Sequence, residues 1–180
     1  MVVMITGGSG SGKSELAENI AAALSRGRLI YIAAMIPRGD EGRKRVERHR
    51  KMRADKGFET VERYTALSKC EFDTGSTVLL ECMSNLLANE MYEENGSGDS
   101  CVYEIINGID AMINNSSNAV IVTNDVFSDG EIYDDETMKY IKYLGELNRY
   151  ISSIADEVYE SVYSIPVELK GDGLCLNLLR

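Results

Sequence analysis

Short apolar runs alternate along the chain with longer segments in which apolar residues recur every three or four positions. Runs that are apolar at nearly every position are typical of strands buried on both faces, and they occur at residues 2–6, 29–33, 78–80 and 118–123. The intervening and following segments predict helices at residues 13–25, 40–54, 83–91 and 134–155. This alternation predicts an α/β fold, with a mostly parallel sheet and helices on both of its faces.

The last part of the chain predicts a strand pair at one edge of the sheet. Residues 157–162 and 167–170 read as strands that are antiparallel and joined by a turn at 164–166. Earlier, residues 93–100 read EENGSGDS, which is typical of a surface connection between two helices. The length of 180 residues favours a single domain over 1–180, with the tail 171–180 at its periphery.

The composition is that of a globular protein, with 44% apolar and 27% charged residues. A chain of this length can bury a hydrophobic core without disulfides or metal. No apolar run is long enough to cross a membrane, and the short run at the start leads into glycines, unlike a signal peptide. The four cysteines form no CxxC pair and accompany a single histidine, which argues against a zinc site. Reduced thiols of this kind favour a cytoplasmic protein.

Charge is distributed unevenly along the chain. The net charge of −10 argues against general affinity for nucleic acid. Residues 38–56, however, hold nine of the nineteen Lys and Arg against four acids, so this stretch carries +5 and the other 161 residues carry −15. A compact basic stretch on an acidic protein predicts one polyanionic ligand bound at one place.

A glycine-rich segment joins the first predicted strand to the first predicted helix. It matches G-x-x-x-x-G-K-[ST] at every constrained position, through Gly7, Gly8, Ser9, Gly10, Ser11, Gly12, Lys13 and Ser14. Glycines let the backbone turn successive N–H groups toward phosphates, Lys13 reaches the β- and γ-phosphates, and the Ser14 hydroxyl joins the ligands of Mg²⁺. The segment therefore predicts a site for a nucleoside triphosphate, ATP or GTP, with Lys13 as a catalytic residue.

An acid on the metal side of the phosphates is expected at the end of a neighbouring strand. Glu81 and Asp125 are the two candidates, since each follows an apolar run. Glu81 is preferred because its run is uninterrupted, which places it at the carboxyl end of a buried strand, where ligands gather in α/β sheets. The structural alternative is that Glu81 is an acid at a helix N-terminus, interacting with the helix dipole.

The basic stretch contains the only histidine of the chain. In a helix over 40–54, Arg45, His49 and Arg53 lie along one face. Neighbouring cations lower the pKa of an imidazole, so His49 is expected to be neutral and able to attack the α-phosphorus of a nucleotide. The spacing alone is equally consistent with an exposed charged helix, or with a phosphate clamp or lid that does no covalent chemistry.

Several short motifs follow the P-loop in a defined order. They are YIAA at 31–34, R-V-x-x-H at 45–49, F-x-T-x-E at 58–62, LLEC at 79–82, Asn89 and TND at 123–125. With ITGGSGSGKSELAE at 5–18, this order resembles the bifunctional adenosylcobinamide kinase / adenosylcobinamide-phosphate guanylyltransferase family of cobalamin biosynthesis, over residues 4–170. The chain departs from the family at 127–133, where the family has a glycine- and proline-containing run.

The resemblance implies a RecA-like P-loop fold, a homotrimer and a corrinoid substrate. It also implies that His49 carries a covalent GMP. The nucleotide contacts that it implies are Gly7 through Ser14, Ala34, Met35, Arg50, Lys51, Met52, Arg53, Glu62 and Glu81.

Two other hypotheses stay open from the residues. One is a small-molecule kinase in which residues 42–53 only clamp phosphates. The other is a nucleotide-switched binding module whose basic helix docks an acidic partner or nucleic acid, and the charge of −15 on the remaining residues makes nucleic acid the weakest of these ligands.

Overall fold

The computed structural model describes residues 1–126, 130–131 and 133–179, without the side chains of Glu41, Arg45, His49 and Met52. In these residues seven strands form one sheet: β1 Val2–Thr6, β2 Leu29–Ala33, β3 Glu59–Glu62, β4 Thr77–Glu81, β5 Asn118–Val122, β6 Glu157–Val162 and β7 Ile165–Lys170. The strand order is β3-β2-β4-β5-β1-β6-β7. Only β7 is antiparallel to its neighbour among the described strands, which confirms the mostly parallel sheet.

Helices cover both faces of this sheet, as the alternation predicts. They are α1 Lys13–Leu24, α2 Gly39–Arg53, α3 Met83–Tyr92, α4 Cys101–Asn114, α5 Asp135–Ile154 and α6 Leu174–Leu178. Side chains alternate along each strand, so Val2 and Met4 pack in the core with α3, α4 and α5. Val3 and Ile5 pack on the opposite face with α1 and α6. Two apolar cores therefore hold the sheet between them.

Two features at the edges of the sheet differ from the sequence prediction. Strand β3 was not predicted, because its sequence ETVE has one apolar residue and its side chains are mostly exposed. The turn between β6 and β7 lies at 163–164 and not at 164–166, since Ile165 pairs with Val162 and Pro166 with Ser161. Among the described residues, no helix combines the length and apolar character that crossing a membrane requires.

The C-terminal tail forms the short helix α6, which packs on the face covered by α1. Cys175 is buried there, and the carboxylate of Glu157 accepts hydrogen bonds from the backbone N–H groups of Leu174 and Cys175, at 2.7 and 3.1 Å. The Tyr159 hydroxyl donates to the same carboxylate at 2.6 Å. One buried acid therefore attaches the tail to β6.

Replacing this acid with its amide is expected to loosen the tail. Glu157→Gln keeps the shape but removes the charge that three donors share, so the free energy of unfolding should fall by about 1.5–3 kcal/mol. The control Glu146→Gln, on the exposed side of α5, should change it by less than about 0.5 kcal/mol. Urea unfolding followed by circular dichroism measures both values. Equal midpoints for the two variants would contradict this account of the tail.

Candidate active site

The loop at 7–14 connects β1 to α1 and has the backbone that its glycines predict. Gly10 and Gly12 have φ angles of +73° and +91°, in the left-handed region that residues with a Cβ rarely adopt. Gly12 precedes the first helical residue, Lys13. The Lys13 side chain is buried, and its ammonium donates to the carbonyl of Gly8 at 2.9 Å. The ammonium therefore lies against the backbone of the loop.

The loop also packs tightly against the connection between β6 and β7. A Cβ added at Gly12 would lie 2.4 Å from Oγ of Ser164, and one added at Gly7 would lie 2.7 Å from the carbonyl oxygen of Ser161. Glycine is thus required at Gly12 for two separate reasons, its φ angle and the close approach of a neighbouring chain segment.

The two residues predicted to bind Mg²⁺ are in contact. The Ser14 hydroxyl donates to Oε1 of Glu81 at 2.5 Å, although β1 and β4 are separated in the sheet by β5. The alternative acid, Asp125, approaches the loop through its backbone, whose N–H donates to the carbonyl of Gly7 at 3.2 Å. A hydroxyl and a carboxylate are hard oxygen donors of the kind that Mg²⁺ binds together with phosphate oxygens and water. No group of three His, Cys, Asp or Glu residues suited to a metal occurs in the part of the chain that the structure describes.

A pocket opens beside Ser14 and Glu81, at the carboxyl ends of β2, β3 and β4. Its lining is Tyr31, Ala33, Met35, Pro37, Val46, Arg50, Arg53, Glu62, Tyr64, Glu81, Cys82 and Asn85. Five of the residues predicted to contact a nucleotide, from four segments of the chain, therefore meet in one place. Ala34, another of them, lies behind the pocket, where its N–H donates to the carbonyl of Glu81 at 2.9 Å.

Arg53 is held in this pocket by an aromatic ring. Its guanidinium carbon lies 3.9 Å from the centroid of the Tyr31 ring, and Nε donates to Thr60 Oγ1 at 3.3 Å. Arg53 is 5% exposed, which is low for an arginine. Burial, and then the nearby Glu81 carboxylate, raise the pKa of Tyr31, so the ring stays neutral beneath the cation.

Arg50 and Glu62 form an ion pair at the rim of the pocket, and the Tyr64 hydroxyl donates to Glu62 at 2.9 Å. Asn89 ties this rim together, because its amide nitrogen donates to the carbonyl oxygens of Ala34 and Tyr64, at 2.8 and 3.0 Å. The pocket thus has a basic wall from α2 and a rim fixed by side-chain hydrogen bonds.

The end of α2 is attached to the P-loop helix. Lys56, three residues after α2, lies 2.9 Å from Oε2 of Glu18, and Glu18 is fully buried in α1. Together with the stacking of Arg53 on Tyr31, this ion pair fixes the last turn of α2 close to α1 and β2.

The other predicted residues of α2 do not all join the pocket. The Lys51 side chain is exposed and pairs with Glu47 at 2.9 Å, so it lies apart from the pocket-lining residues Arg50 and Arg53. His49 belongs to α2, one turn before Arg53, but its side chain and that of Met52 lie outside the described residues. So do residues 127–129 and 132, where the chain departs from the family pattern.

Sequence reasoning missed two residues that organise this site. Tyr31 belongs to the YIAA motif and to a predicted buried strand, but its support of Arg53 was not predicted, although a tyrosine among aliphatic residues is a signal for such a role. Tyr64 carried no signal, because its contact with Glu62 depends on the conformation of the chain after β3.

The model of the cobinamide kinase / cobinamide phosphate guanyltransferase family matches residues 3–169. The chain belongs to this family. It is 29% identical over 185 residues to the bifunctional adenosylcobalamin biosynthesis protein CobU of Escherichia coli (strain K12). This match covers 94% of the chain and 100% of that protein. It is 27% identical to the bifunctional adenosylcobalamin biosynthesis protein CobP of Pseudomonas aeruginosa, over 95% of the chain and 98% of that protein.

The family's fold is shared more widely. An ATPase from the type III secretion system of pathogenic bacteria superposes with a TM-score of 0.52 at 14% identity. The match covers 88% of this chain and 50% of the ATPase chain. This likeness confirms the predicted P-loop fold of the chain.

Gly12→Ala should disrupt the loop of this family member, whereas Gly8→Ala should not. A left-handed φ costs a residue with a Cβ about 1–2 kcal/mol, and the methyl group would also collide with Ser164, so the affinity for GTP should fall about tenfold or more. Gly8 is the matched control, because a Cβ there meets no atom within 4 Å. Isothermal titration calorimetry measures both dissociation constants. An unchanged affinity in Gly12→Ala would contradict the constraint.

Proposed function

We propose that this chain is an enzyme that carries out two reactions on a corrinoid. It phosphorylates adenosylcobinamide with ATP or GTP, and it then transfers GMP from GTP, through a GMP–His49 intermediate, to give adenosylcobinamide-GDP. Membership of the family supports this proposal. The structural observation that carries it is that Glu81 belongs both to the pair with Ser14 and to the lining of the basic pocket. A nucleotide on the P-loop is therefore adjacent to a second, cationic site.

In the first reaction, the P-loop residues hold the triphosphate. Lys13 neutralises charge on the β- and γ-phosphates, and the loop N–H groups orient them. Ser14 and Glu81 would hold Mg²⁺, which supplies charge neutralisation on the phosphate oxygens when bound. The hydroxyl of the aminopropanol arm of adenosylcobinamide attacks the γ-phosphorus, its proton passes to water, and the bond from the γ-phosphorus to the nucleoside diphosphate breaks.

In the second reaction, a ring nitrogen of His49 attacks the α-phosphorus of GTP and pyrophosphate leaves. The phosphate of adenosylcobinamide phosphate then attacks the same phosphorus, which breaks the nitrogen–phosphorus bond and restores the imidazole. The anchoring of the last turn of α2 on Tyr31 and Glu18 supports this role, because it brings the helix that contains His49 beside the P-loop helix. Arg50 and Arg53 then face the negative charge that develops on the phosphates.

Incubation with GTP labelled at the α-phosphate tests the second reaction. The protein should form an acid-labile adduct, and His49→Ala should form none while keeping phosphoryl transfer from ATP to adenosylcobinamide. Arg48→Ala is the matched control, since Arg48 is exposed on the same helix, and it should form the adduct at nearly the normal level.

The outcomes separate the candidate functions. If the unmodified chain transfers the phosphoryl group but forms no adduct, it is a kinase without the guanylyltransferase step, in which the cations of α2 only bind phosphates. Nucleotide binding without turnover of either corrinoid would leave a binding module.

We further infer that the enzyme works in the cytoplasm as a homotrimer that uses β7. The four cysteines are free thiols, as in a reducing compartment. Strand β7 lies at the end of the sheet and exposes Ile165, Val167 and Leu169, which are 64%, 41% and 57% exposed. An apolar, unpaired edge strand of this kind favours association with another chain.

Light scattering after size-exclusion chromatography should give a mass about three times the 19.9 kDa of one chain. Val167→Lys places a charge in the middle of the apolar edge and should reduce this mass. Met138→Lys, at a 48% exposed position on α5, is the control and should leave the mass unchanged. A monomeric mass for the unmodified chain would contradict the proposed homotrimer.

A further inference from the structure

The connection between β6 and β7, residues 163–164, is bound directly to the P-loop. The Ser161 hydroxyl and the Ser164 N–H both donate to the carbonyl oxygen of Ser11, each at 2.7 Å. Gly12 lies so close to Ser164 that a Cβ would not fit between them. The tip of this hairpin therefore has a fixed position beside the phosphate-binding loop.

The residue at this tip, Tyr163, has a backbone conformation that residues with a Cβ disfavour. Tyr163 and Ser164 form a two-residue turn with φ angles of +52° and +63°, a conformation that normally favours glycine or asparagine. Tyr163 is nevertheless a large aromatic residue, and it is 91% exposed, the most exposed of the large apolar side chains among the described residues. A strained backbone that holds an aromatic ring out in solvent, next to a ligand site, is a reason to assign the ring a function.

The order of the strands shows on which side of the phosphate-binding loop this ring lies. Ser14 and Glu81 mark the metal-binding and γ-phosphate end, on the β4 side of β1. The β6–β7 hairpin lies on the opposite side of β1. A triphosphate whose γ-phosphate is at Ser14 and Glu81, and which extends across the loop, would direct its nucleoside toward Tyr163.

The two proposed reactions need opposite ends of the triphosphate at the α2 pocket. Transfer of GMP brings the α-phosphorus to α2, whereas phosphoryl transfer brings the γ-phosphorus to that side. We propose that Tyr163 stacks on the base of the nucleotide that donates its γ-phosphoryl group. Any base offers an aromatic face, so this contact binds ATP and GTP alike. The assignment rests on the proposed kinase reaction.

Binding of two ligands that differ only in the nucleoside tests this assignment. Tyr163→Ala should weaken the binding of a non-hydrolysable ATP analogue about fivefold or more, as loss of one stacked base does, and should leave inorganic tripolyphosphate unaffected. Tyr163→Phe should bind both within about twofold of the unmodified chain. Tyr103→Ala removes a tyrosine that is 66% exposed on α4, away from the loop, and should change neither.

Kinetics give a second readout. Tyr163→Ala should raise KM for ATP in phosphoryl transfer and leave the rate of GMP-adduct formation unchanged, because the base of that GTP lies elsewhere. Equal weakening of the ATP analogue and tripolyphosphate would mean that Tyr163 only shapes the loop, which overturns the assignment. Unchanged binding of the analogue would also overturn it. Failure of the unmodified chain to act on a corrinoid would instead count against the proposed function, and the binding comparison would still decide the role of Tyr163.

Discussion

The hydrogen bond between Ser14 and Glu81 is the contact on which the site depends. It joins the first turn of α1 to the carboxyl end of β4 across the intervening strand β5. This contact can form because β1, β5 and β4 run parallel, so their carboxyl ends all lie on the same side of the sheet. The phosphate-binding loop and the basic pocket are neighbours because both lie at the carboxyl ends of these strands.

Much of the fold follows from local pattern. Strands β1 and β2 have the predicted limits, and the predicted helices differ from the observed ones by one or two residues at their ends. These elements are strongly apolar or strongly periodic, so their sequence signal is large. Strand β3 carries almost no such signal, because it forms by pairing with β2 at an edge of the sheet and not by burying its own side chains.

The site was predictable in its parts but not in its arrangement. The P-loop motif located residues 7–14, and the end of a buried run located Glu81. The support of Arg53 by Tyr31 and the attachment of the hairpin to Ser11 are contacts between segments distant in the chain. Helical spacing already directs the neighbouring side chains of Arg50 and Lys51 to different sides of α2. Which of the two lines the pocket depends on how α2 packs against the sheet.

Asn89 has a consequence for the entropy of ligand binding. One amide nitrogen donates to the carbonyl groups of both Ala34 and Tyr64, so the segments that follow β2 and β3 are tied to each other. The conformational freedom of that side of the pocket is lost when the chain folds, not when a nucleotide arrives. The opposite wall is also held before a ligand binds, because Arg53 of α2 is buried and stacked on Tyr31 and Arg50 is paired with Glu62.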